Sequence, residues 1–169
     1  MTYNISTTQR LAPGETWTIN DRIGINVVAP AQGHTVVSFN NAGTILINTD
    51  SPFISAGFNY DYGSEDRGSV FTNEATGVFR MVSTGGLNAT FGFTSGQGFA
   101  GWNGDFINHG LFEVTATAFA AGVNTSDMTF TFVNTGQFLI RGGTAAIGVW
   151  ADNGVDLQNS GLIEAVALE

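Results

Sequence analysis

A chain of 169 residues with 43% hydrophobic residues can bury the core of one domain. Only 11% of residues are charged, there are 23 glycines and no cysteine, and a net charge of −9 accompanies five arginines and no lysine. This balance excludes disulfide staples and thiolate chemistry, argues against nucleic-acid or anionic-lipid partners that need clustered cations, and points to an all-β chain with many tight turns.

The first stretch, residues 1–20, has no basic region followed by an apolar run. No later segment approaches the roughly 18 apolar residues of a membrane span, so neither a signal peptide nor membrane insertion is expected. Residues 1–20 read as an N-terminal half-coil or cap of one domain spanning 1–169, with coils over 21–167. Leu168-Glu169 resembles the junction left by a C-terminal affinity tag.

Next along the chain come Gly24-Ile25 and then Phe39-Asn-Asn41-Ala-Gly43, and both signatures recur. The second reappears as Phe71-Thr-Asn73 with Gly77 after one extra residue, Phe106-Ile-Asn108-His-Gly110, Phe132-Val-Asn134-Thr-Gly136 and Leu157-Gln-Asn159-Ser-Gly161. The first reappears as Gly57-Phe58, Gly92-Phe93, Gly122-Val123 and Gly148-Val149. After each Asn-x-Gly, apolar residues alternate with mostly polar ones, as in Phe79-Arg80-Met81, Phe112-Glu113-Val114 and Phe138-Leu139-Ile140. Period-two alternation predicts strands with one face in a core. Extra length falls at Asn59 to Arg67 and Ser95 to Asn103, which read as loop insertions in the early coils.

Recurrence at this period predicts stacked coils. Asn tolerates the left-handed backbone of a tight bend and can bond to its counterpart one coil away. Asn41, Asn73, Asn108, Asn134 and Asn159 are therefore expected to form an amide ladder beneath a stack of Phe39, Phe71, Phe106 and Phe132. Register stacking would also set Arg80 beside Glu113. The predicted fold is all-β, a right-handed parallel β-helix of about five coils.

The recurring Asn-x-Gly-x-(Ile/Phe) pattern resembles the β-solenoid repeats of bacterial secreted and surface proteins, including autotransporter passengers and large adhesins, over residues 17–166. That resemblance implies an extracellular or cell-surface location and a structural or adhesive role. The calcium-binding nonapeptide of toxin-type repeats is not matched, because Gly85-Gly86 and Gly142-Gly143 depart from it after the glycine pair.

Three kinds of chemistry are placed by the insertions. Asp61, Glu65 and Asp66 gather carboxylate oxygens of the kind calcium takes, although a solvated loop partly neutralised by Arg67 explains the same residues. Tyr60, Tyr62 and Trp102 offer faces for a polysaccharide, against the alternative of packing onto the wall. Trp17 and Trp150 are expected to pack or cap. A polysaccharide lyase or hydrolase could pair Asp105 with Glu65 or Asp66, but no lysine is available as a base and no catalytic motif stands out, so no catalytic residue is assigned. His34 and His109 stand apart, which argues against zinc. The apolar run Ala165-Val-Ala-Leu168 predicts either further coils or end-to-end stacking into a homo-oligomer.

Overall fold

The computed structural model describes residues 1–28, 37–61, 67–85, 89–95, 103–125, 130–152 and 154–168; at 60–61, 67–69, 95 and 103–104 only the backbone is described. The chain opens with β1 (Tyr3–Ile5), β2 (Gln9–Leu11) and β3 (Thr16–Asn20), then β4 (Ile23–Val28), β5 (Phe39–Asn41) and β6 (Thr44–Thr49). It continues through β7 (Ser55–Asp61), β8 (Arg67–Asn73), β9 (Val78–Ser83), β10 (Thr90–Ser95), β11 (Asn103–Asn108) and β12 (Leu111–Ala116). The last six are β13 (Phe119–Thr125), β14 (Phe130–Asn134), β15 (Gln137–Gly142), β16 (Ala145–Ala151), β17 (Val155–Asn159) and β18 (Leu162–Ala167).

Each strand bonds to the strands three elements away, giving three six-stranded sheets in the orders β1-β4-β7-β10-β13-β16, β2-β5-β8-β11-β14-β17 and β3-β6-β9-β12-β15-β18. All the pairings are parallel. A chain that visits three sheets in turn and pairs each strand with the one a circuit away is a parallel β-helix. Residues 3–20 supply one strand to each sheet.

The interior follows from the alternation. Phe39, Phe71, Phe106 and Phe132 stand in register on the second sheet, with ring centroids 6.2, 5.0 and 5.3 Å apart. Phe79, Phe112 and Phe138 form a parallel column on the third sheet at 4.5 and 5.1 Å. The two columns meet edge to face, as Phe106 and Phe112 do at 5.1 Å and 87°. All seven rings are buried. Each is worth about 1.5–3 kcal/mol in burial, with about 0.5–1.5 kcal/mol more for an edge-to-face pair.

The recurring glycine of the first sheet makes room for those rings. A Cβ built on Gly92 would lie 2.6 Å from Cε1 of Phe112 and 2.5 Å from Cγ2 of Val114. Both neighbours are pinned in the core, so Gly92→Ala is expected to destabilise the fold by about 1–3 kcal/mol through overpacking. Urea unfolding of that variant measures the loss, and an unchanged midpoint would show that the core yields freely.

At the bend from second to third sheet, the five asparagines form the expected ladder. Nδ2 of Asn41, Asn73, Asn108 and Asn134 each donates to Oδ1 of the next asparagine at 2.8, 2.8, 2.7 and 2.8 Å. The same nitrogens also donate to the carbonyls of Val78, Leu111, Gln137 and Leu162 at 2.9–3.2 Å. Asn41, Asn73, Asn108 and Asn134 are fully buried, so these bonds satisfy groups that water cannot reach. The ladder begins above Leu11, which is paired with Asn41 and has no amide, and Oδ1 of Asn41 consequently has no donor.

On the outer face of the third sheet Arg80 meets Glu113 at 2.6 Å, and Arg141 bridges Glu113 at 2.8 Å and Glu164 at 3.1 Å. These partly exposed pairs are worth about 0–1 kcal/mol each and fix register more than they add stability.

Candidate functional site

Extra chain length falls in the connections from first to second sheet and in the third-to-first connections at residues 50–54 and 84–89. Strand bounds place the first-to-second connections after Val28, Asp61 and Ser95, before Phe39, Arg67 and Asn103. The second and third match the insertions read from the sequence; the first, between Val28 and Phe39, was not placed there, although Pro30 and Gly33 mark it as a break between strands.

The strands flanking the two recognised insertions are neighbours on both sides. Tyr60 at the end of β7 is in register with Ser95 at the end of β10, and Arg67 at the start of β8 is in register with Asn103 at the start of β11. Adjacent strands lie about 4.7–4.9 Å apart, so the two insertions emerge side by side. The register shifts between Asn103 and Asp105, a bulge beside the second insertion.

Of the predicted sugar-binding group, Tyr60 lies on this corner by its backbone, while Tyr62 and Trp102 fall outside the described residues. Of the predicted calcium ligands, Asp61 ends β7 opposite Val28, while Glu65 and Asp66 fall outside the described residues. Among the described residues no three His, Asp or Glu side chains gather in a metal-binding group. Asp105 stands between Val70 and Thr131 in register on the outer face of the second sheet, so its described strand neighbours supply no second carboxylate.

A different surface was not anticipated. The residues two positions after the landmark glycines, Asn26, Asn59, Thr94, Asn124 and Trp150, form one row in register with Asn4 on the first sheet, Thr94 being buried within it. Nδ2 of Asn59 donates to Oδ1 of Asn26 at 2.7 Å, and Nδ2 of Asn124 to the Thr94 hydroxyl at 3.4 Å. The sequence signal for this row is Gly-x-Asn, which recurs at 24, 57 and 122. Trp150 ends the row 46% exposed, with its indole N–H donating to Asp152 at 3.1 Å. Trp17 packs as expected, stacked on Tyr3 at 4.6 Å.

At the bend from third to first sheet, an open groove of about 550 Å³ is lined by Asn20, Asp21, Arg22, Asn48, Asp50 and Thr84, among others. Burial pushes the Asp21 carboxyl up, but hydrogen bonds from the Arg22 N–H, the terminal amine and Thr2 outweigh it and hold the group below the ordinary carboxylate value. The terminal amine lies 3.4 Å from the Asp21 carboxylate. No protein-family model, no curated protein and no solved structure matches the chain.

Proposed function

We propose that the chain is a structural or adhesive module of a bacterial secreted or cell-surface protein, a right-handed β-helix of about five coils that self-associates by its end. The observation supporting this reading is the continuous interior. A ring stack and an amide ladder run through the same strands, so the outer faces and the loop corner are held at fixed spacing. Such a rod displays groups along its length. An extracellular or cell-surface location belongs with that role.

A second reading, a carbohydrate-binding module using Tyr60, Tyr62 and Trp102, is favoured by the side-by-side emergence of the two insertions that carry them. Calcium held by Asp61, Glu65 and Asp66 belongs with this second reading. Native affinity electrophoresis against neutral and acidic polysaccharides, with and without calcium, separates the readings. The scaffold reading expects the triple variant Tyr60→Ala/Tyr62→Ala/Trp102→Ala to migrate as the parent does, with every polymer unshortened. Retardation of the parent that the variant loses, at unchanged melting temperature, would transfer the assignment to the carbohydrate module; a shortened polymer would transfer it to a lyase or hydrolase.

A further inference from the structure

The bends from third to first sheet differ in length, and the difference builds the groove beside Asn20. The first bend takes only Asp21 and Arg22 between β3 and β4, whereas the next two take residues 50–54 and 84–89. The groove of about 550 Å³ lies at the step from the short bend to the longer ones. A Cβ on Gly85 would run into the backbone of Asp50 and Ser51, so the second and third bends pack main chain on main chain. The Thr84 N–H also donates to the Thr49 carbonyl at 2.9 Å. Within the second bend the Ser51 N–H donates to the Thr49 hydroxyl at 3.1 Å, and the Phe53 N–H to the Ser51 hydroxyl at 3.2 Å. This wall of the groove is therefore preorganised, and a ligand need not spend binding energy on ordering it.

The polar groups of the groove are only half used. Asn20 and Asn48 stand in register, and Nδ2 of Asn48 donates to Oδ1 of Asn20 at 3.5 Å. That leaves Oδ1 of Asn48 to accept and Nδ2 of Asn20 to donate. Among the described residues the Arg22 guanidinium and the Asp50 carboxylate have no partner. Val82, in register with Asn48, adds an apolar patch to the lining. Phe53, whose N–H is held by Ser51, is 68% exposed.

This set selects among ligands. One guanidinium stands with two carboxylates, Asp21 and Asp50, on a chain of net charge −9, which disfavours an anion. Two carboxylates are few for a divalent cation, which takes six or more oxygen ligands. What matches fixed donors and acceptors together is a neutral ligand dense in groups that do both, and the adjacent hydroxyls of a sugar ring are such groups. We propose that the groove binds a neutral mono- or disaccharide, with Asn20, Arg22, Asn48 and Asp50 bonded to ring hydroxyls and Phe53 offered to the apolar face of the ring. The site goes beyond the scaffold reading. It also lies at a different bend from Tyr60, Tyr62 and Trp102, whose insertions join first sheet to second.

Two-dimensional NMR of the labelled 169-residue chain, titrated with maltose, cellobiose and lactose, tests this. The expected result is a saturable shift of the Asn20 and Asn48 side-chain amides with at least one of the three, and weaker binding of galacturonic acid. Asn48→Ala and Asp50→Ala should each weaken the sugar about tenfold, the order of a lost hydrogen bond or two. Both side chains are exposed, so the urea midpoint should hold. The triple variant Tyr60→Ala/Tyr62→Ala/Trp102→Ala should bind as the parent does, which separates this site from the loop corner. No saturable shift with any of the three sugars would overturn the assignment. So would binding that survives both groove variants, binding lost in the triple variant, or galacturonic acid bound more tightly than any neutral sugar.

Discussion

Asn108→Leu is expected to cost about 2–5 kcal/mol, by stranding buried polar groups at roughly 1–3 kcal/mol each. The variant removes the donor to Oδ1 of Asn134 and to the Gln137 carbonyl, and the acceptor for Nδ2 of Asn73. Asn73 keeps the Leu111 and Gly77 carbonyls, so the main loss falls on the other two groups. The added apolar volume does not compensate, because the position faces amides above and below. The fold bears one such mismatch natively, where Leu11 leaves Oδ1 of Asn41 without a donor. Asn159→Leu is the control: Asn159 is exposed, Nδ2 of Asn134 keeps the Leu162 and Gly136 carbonyls when it is lost, and a cost under about 1 kcal/mol is expected. Urea denaturation measures both, and equal losses at the two positions would show that burial of the ladder does not govern its energetics.

Truncating Phe106 to Ala should cost about 3–5 kcal/mol, a large share of the roughly 5–15 kcal/mol that holds a domain of this size. Phe106 is fully buried and stacks between Phe71 and Phe132 while meeting Phe93 and Phe112 edge-on. Its neighbours are rings fixed by their own stacks, so the void cannot close easily. Because circuits contact mainly their neighbours, a weak circuit also uncouples those on either side. Differential scanning calorimetry is expected to show a lower and broader transition than in the parent. A sharp transition within a degree or two of the parent's would contradict the contiguous core.

These two columns are also the part of the fold most legible beforehand. Phe-x-Asn-x-Gly names the positions that pair across β5, β8, β11 and β14, because every circuit must place an aromatic inward and an amide at the same bend. The pairing of Arg80 with Glu113 followed from the same register. The Phe-x-Asn segment itself was harder to read. It looked like part of a bend, yet it is a strand of the second sheet, and three to seven residues carry too few alternations to show it. At β2, Gln9 and Leu11 replace the aromatic and the amide, so the signature disappears where the interior is closed off.

The outer surface was less legible for a physical reason. Inward positions are constrained by neighbours on three sides and must repeat; outward positions meet water and are free to vary. Hence the Arg80, Glu113 and Glu164 line shows no common residue type, and the row from Asn4 to Trp150 emerges only once register is known. The predicted ligand residues do not recur from circuit to circuit, so no repeat fixes their geometry.

Hydrogen exchange of the asparagine side-chain amides, followed by NMR, tests the stacked interior on which the scaffold role depends. The protons of Asn73, Asn108 and Asn134 are expected to exchange orders of magnitude more slowly than those of Asn159, since their release requires circuits to separate. Exchange of all four at the rate of an exposed amide would contradict a continuous buried ladder, and with it the rigid rod.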